Sequence, residues 1–94
     1  MTVADTIREK LTSAFTPAEL VVEDESAKHA GHAGAQPGGQ THFCVRIVSR
    51  NFDGLSRVER QRRVYAALAN EFKPGGIHAL SLTTLTPAEV WQEH

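Results

Sequence analysis

Cysteine is nearly absent: Cys44 is the single thiol in 94 residues. It cannot form an intramolecular disulfide, so an oxidising compartment is not implied. Nor can the chain hold an iron–sulfur cluster alone, because such clusters take four thiolates, two of which histidines can replace. No apolar run approaches the roughly 20 residues needed to span a bilayer, and the N-terminus opens on an amphipathic segment with no cleavable hydrophobic signal. Cytoplasm is therefore the expected compartment, with no membrane contact. Charge of one sign is also lacking; the formal net charge of −1 gives no overall pull toward nucleic acid or anionic lipid. Aromatic residues make up 6% of the chain and do not interleave with the basic ones, so no base-stacking platform is expected. Missing too are a G-K-[ST] phosphate loop, a Ser-His-Asp arrangement and any carboxylate pair that spacing could bring together. No enzyme is predicted.

A hydrophobic content of 40% and a charged content of 22% are those of an ordinary single-domain globular chain. Its organisation centres on residues 56–82. Ser56 with Glu59 forms a capping box, and Val58, Val64, Tyr65, Leu68, Ala69 and Phe72 fall on one side of a helix that Pro74 ends. Gly75 and Gly76 then turn the chain into the alternating run His78, Leu80, Leu82, a strand that Leu85 closes. Upstream, Thr2 with Asp5 opens a helix carrying Val3, Ile7, Leu11, Ala14 and Phe15, which ends before Pro17. Residues 20–24 read as a short strand. Residues 42–49 read as another, with Phe43, Val45 and Ile47 on one side and His42, Cys44 and Arg46 on the other. Thr86-Pro87-Ala88-Glu89 starts a short last helix, with Val90 and Trp91 as its docking residues. The order αββαβα predicts an α+β domain: a three-stranded mixed sheet with helices packed on one face.

Between the first two strands, residues 26–41 hold four of the seven glycines and no large apolar side chain. A mobile loop is predicted there, and its length favours a functional one. It carries His29 and His32 in H-A-G-H, either metal ligands on a flexible backbone or solvated loop histidines. His78 opens the third strand and is either a ligand or a partly buried structural histidine; His42 has the weaker claim to function. Cys44 reads as a small hydrophobe or a donor to a shared site. Arg46, Arg50, Arg57, Arg60, Arg62 and Arg63 face only Asp53 and Glu59 over their interval. Arg60 and Arg63 are expected to point outward and Arg62 to flank the apolar face, with Gln61 near the centre of that stripe. That basic face is either a solvated helix surface or a contact for duplex DNA or a protein partner.

With these residues in hand, the chain resembles the BolA family over essentially its whole length. The resemblance rests on V-V-E-D-E-S before a histidine-bearing glycine loop, T-H-F-C-V, F-D-G-L-S-R-V-E-R-Q-R-R-V-Y-A-A-L, and I-H-A-L-S-L-T-T-L-T-P-A-E-V-W. It implies a fold similar to class II KH domains, although no G-x-x-G clamp lies between Gly54 and Gly76. It implies a partnership with a monothiol glutaredoxin around a shared [2Fe–2S] cluster, to which the glutaredoxin side brings its cysteine and a glutathione thiol. The chain's own ligands would be His78, which opens H-A-L, and a loop histidine, His29 first with His32 as alternate. Where many members have a histidine between the helix arginines, this chain has Gln61, a difference expected to affect packing or docking more than ligation. Some bacterial relatives are regarded as transcriptional regulators, which keeps DNA as the rival partner. A metal site on the chain alone, using His29, His32 and His78 for Zn²⁺ or Cu²⁺, is a third reading. Imidazole ligation would make a shared cluster acid-sensitive. The free chain is expected to be a monomer.

Overall fold

A computed structural model describes residues 2–25 and 41–92. Its elements run α1 (Val3–Phe15), β1 (Glu19–Asp24), β2 (Thr41–Val48), a 3₁₀ turn (Arg50–Phe52), α2 (Arg57–Ala67), a second 3₁₀ turn (Ala69–Glu71), β3 (Ile77–Leu85) and α3 (Pro87–Gln92). The sheet order is β1-β2-β3, with β1 antiparallel and β3 parallel to the central β2. This is the mixed three-stranded α+β sheet that the element order predicts.

Local chemistry fixes the helix starts. Thr2 accepts from the Asp5 N–H while the Asp5 carboxylate accepts from the Thr2 N–H, a complete capping box. That backbone N–H, ahead of the Thr2 side chain, holds the Asp5 carboxyl below its ordinary range. Ser56 accepts from the Glu59 N–H at the head of α2, and Thr86 with Glu89 does the same for α3. Each such cap stabilises its helix by about 1 kcal/mol.

The core lies between one sheet face and the two longer helices. Ile7, Leu11 and Phe15 of α1, Val64 of α2 and Leu68 just beyond it meet Val22, Phe43, Val45, Ile47 and Ile77, with Phe52 closing one end. The rings of Phe15 and Phe52 tilt against each other, with centroids 5.1 Å apart. Beneath them the buried Ser49 hydroxyl donates to the Phe15 carbonyl at 2.7 Å, so this polar group at the edge of the core is satisfied. Among the described residues no helix covers the opposite sheet face, where His42 is exposed and Cys44 and Arg46 are half-buried.

Several expectations about α2 are corrected. The α-helix stops at Ala67, well short of Pro74, and tightens into the 3₁₀ turn before Phe72. Its inward face is Arg60, Val64 and Leu68, while Val58 is 60% and Tyr65 41% exposed. Ala69 and Gln61 are exposed as well, so Gln61 is not in the centre of an apolar stripe. Arg62, expected beside that stripe, is 74% exposed along its side chain. Arg60, expected in solvent, is 6% exposed. Its guanidinium donates to both Glu89 carboxylate oxygens, at 2.6 and 3.0 Å, and to the Leu55 and Thr84 carbonyls, at 2.9 and 3.2 Å. A bidentate carboxylate and two carbonyls replace its water, so burial of this cation is compensated. Trp91, expected to dock α3, is 81% exposed; the Arg60–Glu89 pair docks that helix instead.

Candidate metal-ligand site

His78 owes its position to a break in the parallel ladder. Thr41 pairs with Ile77 but His42 pairs with Ala79, which leaves His78 as an additional residue on β3. Such a bulge bends its strand and re-aims side chains. Had alternation continued unbroken, His78 would share the core side with Leu80 and Leu82. Instead Ile77 is buried and His78 exposed. The turn before it is equally constrained. Gly75 has φ +85°, in the left-handed region, and a Cβ on Gly76 would stand 2.3 Å from the Glu71 carbonyl oxygen. The Pro-Gly-Gly break thus delivers β3 at the position where the bulge can turn an imidazole outward.

Around His78 stand two further features. His42, across the ladder beside the bulge, is exposed, and its Nε2 lies 3.1 Å from the Ser81 Oγ. The Tyr65 hydroxyl reaches from α2 to the Leu80 carbonyl of β3 at 3.4 Å, and its ring stacks obliquely on Phe72, with centroids 5.3 Å apart. Tyr65, read from the sequence as a core residue, therefore closes part of the free edge of β3 while keeping one side in water. Cys44, two residues along β2 from His42 on the same sheet face, sits opposite Glu23 and Ser81. Among the described residues no group of three or more His, Cys, Asp or Glu side chains converges as a metal site.

His29 and His32 lie outside the described residues, as does the 26–40 part of the predicted loop. His78 thus lies among the first residues of a strand, as the sequence anticipates, and its side chain is exposed rather than partly buried. The bulge that makes it available leaves no mark in the alternation of apolar residues. Arg60 does not sit on the surface where a contact residue was expected: it is 6% exposed, with four hydrogen bonds from its guanidinium made within the chain. Arg63 stays on the surface, its Nε 3.4 Å from a Glu59 carboxylate oxygen.

The BolA-like protein family model matches residues 11–89, and the chain belongs to the BolA family. It is 48% identical over 88 residues to Protein BOLA1, chloroplastic, of Arabidopsis thaliana, covering 92% of this chain and 54% of that protein. It is 52% identical over 88 residues to SufE-like protein 1, chloroplastic/mitochondrial, of the same plant, covering 89% of this chain and 24% of that protein. The chain thus spans about half of the first relative's length and a quarter of the second's. The solved structure of BolA1 from Arabidopsis thaliana superposes with a TM-score of 0.78 at 46% identity, covering 92% of this chain and 93% of that one. Organelle names among these relatives mean that kinship does not carry the cytoplasmic expectation. Of membranes, the structure says that no helix among the described residues is long and apolar enough to cross one.

Proposed function

We propose that this chain is a non-catalytic partner of a monothiol glutaredoxin, co-ligating a shared [2Fe–2S] cluster through His78 and a loop histidine, His29 before His32. Iron–sulfur cluster trafficking or iron and redox sensing would be its role. The observation that carries this reading is the exposed imidazole of His78, lifted out of the core register by the β3 bulge.

The donor chemistry fits. A [2Fe–2S] cluster accepts two imidazoles in place of two thiolates, and histidine ligation raises its potential. The chain supplies imidazoles and has a single thiol, Cys44, in mid-strand, so the remaining ligands belong to the glutaredoxin cysteine and glutathione. When bound, the cluster supplies one-electron redox chemistry and transferable iron and sulfide. The chain's own work is to hold an imidazole at a fixed place on a rigid strand, which favours precise ligation over a loop donor alone. Duplex DNA as the alternative partner is the weaker reading, since Arg60, one of the two arginines named for it, is buried.

The test is to co-purify the chain with a monothiol glutaredoxin and glutathione and to record visible absorption and circular dichroism. A mixed-ligand spectrum that His78→Ala abolishes is expected. A complex whose spectrum is indifferent to His78→Ala removes this residue from the role. His32→Ala proving more damaging than His29→Ala would reverse the choice between the loop histidines.

A further inference from the structure

We infer that the Lys10–Glu71 ion pair fixes the place of His78, which makes Lys10 of α1 a positioning residue for an imidazole at the head of β3. This deepens the reading of His78 as a ligand to a partner's cluster and rests on it. What it adds is control of the ring's position from the opposite end of the chain.

His78 is exposed, so its place is set by the backbone that delivers it, and that backbone turns on Glu71. The Glu71 N–H donates to the Leu68 carbonyl at 2.8 Å, and the Glu71 carbonyl accepts from the Lys73 N–H at 3.1 Å. The same carbonyl oxygen faces the buried Gly76 so closely that a Cβ there would stand 2.3 Å away. The Gly76 N–H then closes the turn on the Lys73 carbonyl at 2.8 Å. His78 follows two residues later. Any displacement of Glu71 therefore passes through Gly76 into the start of β3 and its bulge.

What holds Glu71 is α1. Lys10 follows the buried Ile7 by three residues, at the edge of that helix's inward stripe, and its Nζ donates to the Glu71 Oε2 at 2.5 Å. The side chains are 34% and 13% exposed, whereas in Arg8–Asp5 and Arg63–Glu59 every partner is at least 41% exposed. Solvent and salt therefore screen the Lys10–Glu71 pair less. Without the ammonium, a mostly buried carboxylate has to turn out to water, and its backbone moves with it. On the other flank Phe72 stacks on Tyr65, so the turn stays formed but shifts. Productive ligation needs its donors held within about 0.5 Å, so a small shift is enough to matter.

The test uses the full chain, free and in complex with a monothiol glutaredoxin and glutathione. In free Lys10→Ala chain the His78 amide and ring resonances should move and the Gly76 amide should exchange with solvent about tenfold faster, with far-ultraviolet circular dichroism unchanged. In the complex, the coupling of the His78 nitrogen to reduced iron should weaken or split into several values. Lys10→Arg should stay close to wild type in both measurements, and Lys10→Glu combined with Glu71→Lys should lie closer to wild type than either single change. Glu71→Gln, which keeps the shape of the side chain, should shift the same resonances and replaces Lys10→Ala if that variant fails to fold. Arg63→Ala, which breaks a pair away from this turn, should leave them in place. His78 resonances that coincide with wild type in Lys10→Ala or Glu71→Gln, or a charge exchange no better than the single changes, overturn the inference. Should the wild-type complex show no cluster coupling from His78, the glutaredoxin reading fails, while the free-chain measurements still decide whether Lys10 places the ring.

Discussion

Replacing Glu89 with alanine should unfold this domain far more easily than replacing any exposed charge on α2. The Arg60 guanidinium is buried and makes four hydrogen bonds, two of them to Glu89. The same carboxylate accepts from the Thr86 N–H at 2.8 Å, so its loss also opens the start of α3. Removing one partner of a fully buried ion pair costs about 3–5 kcal/mol. The Glu89 side chain is 34% exposed and that of Arg60 7%, so water relieves part of the penalty and about 2–3 kcal/mol is expected. For a domain of this size that is a fall in Tm of about 10–20 °C. Urea unfolding followed by circular dichroism measures it, with Arg62→Ala as the control, expected within about 0.5 kcal/mol of wild type. A double-mutant cycle of Arg60→Met with Glu89→Gln should return a coupling of about 1.5–3 kcal/mol. Equal costs for Arg60→Ala and Arg62→Ala, or a coupling near zero, would refute the assignment of Arg60 as the clasp between α2 and α3.

The same pair sets an acid dependence. The Arg60 guanidinium first, and the Thr86 N–H after it, lower the Glu89 carboxyl from 4.5 to about 2. A depressed folded-state value stabilises the fold at pH above 4.5 and loses that contribution as pH falls toward 2, about 2 kcal/mol after allowing for the partly exposed carboxylate. The stability difference between wild type and Glu89→Gln should therefore be full at neutral pH and shrink as the solution is acidified through this window; a difference constant with pH contradicts it. Gly76→Ala should destabilise by more than about 1 kcal/mol, since its Cβ would collide with the Glu71 backbone, and amide chemical shifts should change at His78 and along the start of β3. A wild-type spectrum there would show that the turn does not govern the bulge. Trp91→Ala should move Tm by no more than about 2 °C despite the size of the side chain, because the ring is 81% exposed.

What the sequence made legible follows from which signals are local. The caps at Thr2, Ser56 and Thr86 involve residues three apart: the boxes at Thr2 and Thr86 form in both directions, and Ser56 makes its bond to the Glu59 N–H. The period-two run Phe43, Val45, Ile47 likewise identifies the core face of β2. Arg60 was misplaced because its partner is 29 residues away on α3, and a helical wheel assigns an arginine to solvent unless such a partner is known. Once Arg60 turns inward, Val58 and Tyr65 rotate outward, while Val64 and Leu68 keep their expected place in the core. Tyr65 has a physical reason to remain half in water, since its hydroxyl serves the Leu80 carbonyl at the sheet edge. The opening of β3 at His78 was legible from Pro-Gly-Gly. The bulge was not, because nothing in I-H-A-L distinguishes a residue that continues the ladder from one that is extruded. Nor does sequence spacing show that His42 and Ser81, 39 residues apart, meet across two strands.

The most direct test of the account isolates the His78 nitrogen at iron. Pulsed electron paramagnetic resonance of the reduced cluster, in a complex of this chain with a monothiol glutaredoxin and glutathione, should show strongly coupled histidine nitrogen. Uniform ¹⁵N labelling of the chain alone should change those couplings, and His78→Ala should remove one of them. A cluster without nitrogen coupling from this chain, or one whose couplings are the same in His78→Ala, would contradict the claim that the β3 bulge presents His78 to a partner's iron.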